Sequence, residues 1–262
     1  MSSPDFLRAK AQQRKITMVT CYDYTFARLI AKSPIDAILV GDSAAMVMHG
    51  HPSTLTMNIE LTRMHTEAVV RGAGDKFIVA DMPFLSYRKG IGPALDTAQL
   101  LMTAGAHAVK LEGVDGHEDV IERFVQSGIP VMGHLGMQPQ SVNAYGGFRV
   151  QGRNEDSAHD IMRQAAALEQ LGAFAVVLEC VPAKLAGEIT EALHIPTIGI
   201  GAGPECDGQI LVLQDLLGMN QDFRPKFVRQ FSDVGHCVQQ ALERYDDEVK
   251  NGTFPAMQES YS

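Results

Sequence analysis

Short apolar runs recur along this chain, and most of them stop in the same way. Residues 38–42, 77–81, 108–112, 130–134 and 175–179 run through aliphatic side chains and close on Asp42, Asp81, Glu112, His134 and Glu179, while a sixth, 197–201, closes on Gly201. Runs this apolar suit strands buried on both faces, as in a parallel sheet. A charge at the end of such a strand is costly unless something pairs with it. Repeated from strand to strand, the pattern predicts one polar site at the carboxyl end of a barrel.

Two further strands complete the set, one over 17–23 before the six and one over 210–213 after them. Between them lie segments with helical periodicity. Phe26, Leu29 and Ile30 mark the first. Leu61, Met64 and Ala68 mark the second, and Thr97, Leu100, Leu101 and Ala104 the third. Val120, Ile121, Phe124 and Val125 follow, then Ile161, Ala165, Leu168 and Leu171, then Leu185, Ile189 and Leu193. Phe227, Phe231, Val234 and Val238 fall on one face of a last helix. Eight strands alternating with helices over about 250 residues predict a (β/α)8 TIM barrel, with an open doubly wound sheet as the alternative. Only residues 201–208 separate strands seven and eight, fewer than the dozen or so a crossover helix needs, so a short or irregular connection is expected there. The whole of 1–262 reads as one barrel domain, with the polar start 1–15 and the tail 251–262 peripheral. Two loops are long, 43–58 after strand two and 136–156 after strand five, and long loops on that face of a barrel usually carry function.

Composition narrows the class. A net charge of −9 and the absence of a long basic stripe argue against a nucleic-acid surface. No stretch approaches the about 18 apolar residues of a membrane span, and the first fifteen residues lack the apolar core of a signal peptide. A cytoplasmic protein is expected. Cys21, Cys180, Cys206 and Cys237 are scattered without a CxxC pair and read as core residues or free thiols.

Side chains alternate along a strand, so Ile38, Val40 and Asp42 share a face, as do Phe77, Val79 and Asp81, and Lys110 shares one with Glu112. With that face turned inward, Asp42, Asp81 and Glu112 meet from neighbouring strands about 4.8 Å apart. Like charges that close need a cation, and an all-oxygen site suits Mg²⁺, which keeps waters and takes substrate oxygens. An Asp after a strand is often just an N-cap, but three in register with a nearby Lys are poorly explained by capping. Glu179, expected across the barrel from this cluster and partly dry, has the setting of a general base; a buried Glu bonded to amides or an arginine is the alternative. His134 is either a hydrogen-bond donor to a substrate carboxylate or a satisfied core histidine. His49 and His51 invite a zinc reading, yet their loop setting favours polar loop residues. The glycines at 199, 201 and 203 lack dinucleotide-binding spacing and read as a tight turn.

The chain resembles the ketopantoate hydroxymethyltransferase family. The matching stretches are 20–24 (Thr-Cys-Tyr-Asp-Tyr), 40–43 (Val-Gly-Asp-Ser), 50–55 (Gly-His-Pro-Ser-Thr-Leu), 80–84 (Ala-Asp-Met-Pro-Phe), 109–113 (Val-Lys-Leu-Glu-Gly) and 133–136 (Gly-His-Leu-Gly). They continue with 139–143 (Pro-Gln-Ser-Val-Asn), 146–153 (Gly-Gly-Phe-Arg-Val-Gln-Gly-Arg), 178–182 (Leu-Glu-Cys-Val-Pro) and 199–203 (Gly-Ile-Gly-Ala-Gly). The resemblance implies a (β/α)8 barrel in which Asp42 and Asp81 hold Mg²⁺ with Glu112 in its environment. It also implies that the oxo acid meets Ser43, Asp81 and Lys110, that Glu179 accepts the proton, and that the chain assembles as a decamer. The implied reaction moves a hydroxymethyl group from 5,10-methylenetetrahydrofolate to 3-methyl-2-oxobutanoate, giving 2-dehydropantoate. Ala44-Ala45 replaces the family's usual Leu-Gly-like pair, and Thr56-Met57-Asn58 stands where a proline-led segment is common. Two rival readings are a Mg²⁺-dependent 2-oxo-acid lyase or mutase of the phosphoenolpyruvate mutase and isocitrate lyase kind, and a non-catalytic barrel used as a scaffold.

Overall fold

The computed structural model describes residues 1–220 and 224–261. Eight strands form a closed barrel in chain order: β1 (Ile16–Thr20), β2 (Ala37–Val40), β3 (Phe77–Asp81), β4 (Ala108–Glu112), β5 (Val131–Gly136), β6 (Ala175–Glu179), β7 (Thr197–Ile200) and β8 (Gly208–Leu211). Every neighbouring pair is parallel, including β8 with β1. The expected TIM barrel is therefore present, and β7 passes to β8 without a helix. Strand eight begins two residues earlier than its apolar run suggests, because Gly208 pairs with both Ile16 and Ile198.

The chain divides into two compact units, Met1–Val212 and Leu213–Ser262, and the barrel closes within the first. Its helices start where short polar side chains cap them. Asp23 accepts a hydrogen bond from the Phe26 amide, Asn58 from that of Leu61 and Asn154 from that of Ser157. The outer core lies between strands and helices and includes Leu101, Phe124, Leu168 and Ile189.

The start of the chain is less peripheral than its polarity suggests. Ser3–Ala11 forms a helix whose Phe6 is fully buried. Phe6 meets Phe77 and Phe174 with ring centroids 5.5 and 5.1 Å apart, in tilted and edge-on geometry. Phe77 opens β3, so this aromatic plug closes the amino end of the barrel, where Ile16, Ala108 and Ala175 also pack. The helix Ile59–Gly72 corrects a second expectation: it turns Thr62, His65, Thr66 and Val69 inward and leaves Met64 about half exposed.

In the second unit the last helix runs Val234–Lys250, so Phe227 and Phe231 precede it rather than sharing its face. Val238, Leu242, Tyr245 and Val249 recur at helical spacing along it, and all four are exposed. The tail is described to Tyr261; Ser262 lies outside the described residues.

Candidate active site

The strand termini bring the ionisable residues together. Asp42 follows β2, Asp81 ends β3, Lys110 and Glu112 lie on β4, His134 is on β5 and Glu179 ends β6. Register sets their levels: Asp81 pairs with Lys110, Glu112 with His134, and Glu179 with Gly136. Asp42, Asp81, Lys110, Glu112 and His134 are all buried.

Lys110 Nζ is 2.5 Å from Asp81 Oδ1, and the other Asp81 oxygen accepts from the Asp42 amide at 3.0 Å. Lys110 Nζ also lies 3.3 Å from His134 Nδ1. An ammonium only donates, so Nδ1 accepts and the ring proton sits on Nε2. That Nε2 faces Glu179 Oε2 at 3.2 Å, an electrostatic contact rather than an aligned hydrogen bond. Glu179, expected across the barrel, thus reaches the cluster through His134. The His134 Nδ1 also lies 3.6 Å from Glu112 Oε1, an oxygen buried without any hydrogen-bond partner. The histidine is therefore part of the polar cluster and not an isolated core residue.

Burial, then repulsion from Asp81, pushes the Asp42 carboxyl up to about 7, against the pull of Lys110 and Gln140. Burial and the Asp42 charge likewise raise Glu112 well above the usual carboxylate range. Burial lowers His134, with Lys110 adding to the effect, which favours the neutral imidazole. Burial works against the Lys110 charge, but Asp81, Glu112 and Asp42 outweigh it and hold the ammonium. The cluster holds more carboxyl groups than cationic ones, and the open Glu112 Oε1 is free to ligate a cation. Carboxylate oxygens suit a hard ion such as Mg²⁺. Among the described residues no group of three or more His, Cys, Asp or Glu is placed to hold a metal ion by itself, so such an ion would need further ligands from water and substrate.

Ser43 is held from outside the cluster. The Tyr22 hydroxyl lies 2.8 Å from Ser43 Oγ, and burial raises the phenol so that it keeps its proton; either oxygen can donate. His65 in turn contacts the Tyr22 carbonyl through Nδ1 at 2.6 Å, and its Nε2 lies 2.9 Å from His49 Nε2. His49 therefore pairs with His65 rather than building a zinc trio with His51. Ala44 and Ala45 are buried with Tyr22 and Met57 in one packing cluster.

The residue most clearly missed in the sequence is Gln140, in the loop after β5. Its amide contacts Asp42, Met82 and Tyr87, and its backbone N–H donates to Glu112 Oε2 at 3.0 Å. A Gln carries no charge and gives no periodic signal. Its sequence clues are its place in a long loop on the carboxyl face and within the matching stretch 139–143.

A closed (β/α)8 barrel with this acid–base cluster at its carboxyl rim defines a barrel enzyme. Residues 1–257 match the family described as ketopantoate hydroxymethyltransferase. The chain is 58% identical over 258 residues to the 3-methyl-2-oxobutanoate hydroxymethyltransferase of Bdellovibrio bacteriovorus, covering 98% of each. It is 52% identical to the enzymes of that name from Francisella tularensis and Coxiella burnetii, over 98% of this chain and 97% of each of theirs. The chain belongs to the ketopantoate hydroxymethyltransferase family. Among solved structures it resembles phosphonopyruvate hydrolase in complex with oxalate and Mg²⁺ (TM-score 0.64, 12% identity, covering 99% of this chain and 93% of that one). It also resembles 2,3-dimethylmalate lyase, a member of the phosphoenolpyruvate mutase/isocitrate lyase superfamily (TM-score 0.62, 16% identity, covering 99% and 91%). At those identities the likeness shows the barrel alone.

Proposed function

We propose that this chain transfers a hydroxymethyl group from 5,10-methylenetetrahydrofolate to 3-methyl-2-oxobutanoate, giving 2-dehydropantoate and tetrahydrofolate. The observation that carries the reading is the buried Asp42–Asp81–Lys110–Glu112 cluster joined through His134 to a partly exposed carboxylate, Glu179. Asp42 and Asp81 would hold Mg²⁺, with Glu112 in its environment. Bound there, the ion supplies Lewis-acid polarisation of the keto carbonyl. Glu179 accepts the proton from C3 of the oxo acid. With Lys110 engaging the opposite nitrogen, the His134 Nε2–H faces Glu179 Oε2 and keeps that carboxylate aimed. Lys110 offsets the negative charge that grows on the substrate oxygen as the proton leaves. Ser43, Asp81, Lys110 and the rim residue Asp42 orient the oxo acid, so that C3 attacks the methylene carbon of the folate; water completes the hydroxymethyl group.

Among the described residues no helix is long and apolar enough to cross a membrane, and we place the enzyme in the cytoplasm, acting on small molecules. The exposed stripe Val238, Leu242, Tyr245 and Val249 supports self-association as a homo-oligomer, the decamer that the family resemblance implies. The test follows tetrahydrofolate release from the two substrates with and without a chelator. Release that needs both substrates and stops on chelation is expected. Turnover of a 2-oxo acid without reduced folate would move the chain to the lyase class, and oxo-acid binding without turnover would make it a scaffold.

A further inference from the structure

Gln140 is buried where four strands end, and it turns both side-chain donors, its amide oxygen and its backbone N–H to the site. Its Nε2 donates to Asp42 Oδ2 and to the Met82 carbonyl, both at 3.0 Å. Its Oε1 accepts from the Tyr87 hydroxyl at 3.0 Å. Its backbone N–H donates to Glu112 Oε2, also at 3.0 Å. An amide suits this position because it must donate to one neighbour and accept from another at once.

The consequence concerns the two carboxylates. With Gln140 on Oδ2, Asp42 offers Oδ1 as its less engaged oxygen, while Oδ2 keeps one lone pair. With Oε2 engaged by the same residue's backbone, Glu112 has Oε1, the oxygen without a hydrogen-bond partner. Mg²⁺ demands a tight octahedron and takes carboxylates through one oxygen, whereas Ca²⁺ takes more oxygens, often two from one carboxylate. We propose that Gln140 is a metal-selectivity residue: by occupying one lone pair of Asp42 Oδ2 and fixing the carboxylate's orientation, it favours one-oxygen over two-oxygen ligation and so cations of magnesium size over calcium. It is a positioning residue, acting through Asp42. The inference rests on the divalent-cation reading of the site and deepens it.

The test needs no turnover. Chelator-stripped wild type and Gln140→Met, which keeps length and volume but removes the amide, are titrated calorimetrically with Mg²⁺ and with Ca²⁺. Circular dichroism checks that the variant folds. Gln140→Asn, whose shorter amide cannot span Asp42 and Tyr87 together, serves as a second variant if Met is not tolerated. The ratio of Mg²⁺ to Ca²⁺ affinity is expected to fall at least threefold in the variant. A smaller change overturns the inference, whether both affinities drop in parallel or neither moves, since a merely structural role would weaken both ions alike. If wild type binds neither ion, the cation reading of the site falls and this inference with it. If wild type binds Mg²⁺ and the ratio holds, the selectivity role alone falls.

Discussion

Replacing Lys110 by Met would show what the ammonium contributes at the centre of the site. Methionine keeps the unbranched stem and removes the charge. The Lys110 and Asp81 side chains are 4% and 3% exposed and 2.5 Å apart, so water cannot replace the lost partner. Removing one member of a buried pair costs about 3–5 kcal/mol, because the other charge stays buried and uncompensated. Asp42 and Glu112, also buried, add repulsion that the ammonium had offset. For a chain of this size each kcal/mol shifts the thermal midpoint by about 2–4 °C. The metal-free variant should therefore melt about 6–20 °C below wild type by calorimetry. Lys110→Met combined with Asp81→Asn removes both charges and should recover much of that loss, which a double-mutant cycle reads as coupling. A single variant melting within about 2 °C of wild type would refute the claim that this pair organises the cluster.

Other outcomes follow from the same structure. Phe6→Ala should cost about 3–5 kcal/mol by removing the aromatic plug, measured by urea unfolding, while kcat stays near wild type because the plug sits at the opposite end from the cluster; a large kcat loss would contradict that separation. Gly136 has φ +88°, and a Cβ there would strike the Glu179 carbonyl. Gly136→Ala should thus lower both the melting point and proton exchange at C3 of the oxo acid, and a variant with normal exchange would contradict the account. His117 is buried, and burial with nearby Arg88 lowers it from 6.5 to about 4. The unfolded chain binds this proton first, so wild-type stability should decline as pH falls from about 6.5 towards 4. His117→Gln should show a shallower decline in urea midpoints over that range, and parallel curves would refute it.

The barrel was legible because its strands are apolar on both faces and most end in an ionisable residue. That one pattern located Asp42, Asp81, Lys110, Glu112, His134 and Glu179. Other parts carry no such periodic signal. The amino-terminal helix docks through Phe6 within a polar segment, and the tertiary contact with Phe77 and Phe174 gives it its role. Helix Ile59–Gly72 turns threonines and His65 inward, so counting apolar residues selected Met64, which is exposed. Gln140 is the sharpest case: a neutral loop residue whose importance comes from reaching Asp42, 98 positions away in the chain.

The most direct measurement is deuterium exchange at C3 of 3-methyl-2-oxobutanoate in the Glu179→Gln variant, without folate. Glutamine keeps the shape of the side chain but is no base, so exchange should fall about 10²–10⁴-fold. Oxo-acid affinity, read by calorimetry on the same sample, should stay within about twofold of wild type. Exchange at the wild-type rate, with binding intact, would show that another group removes the proton.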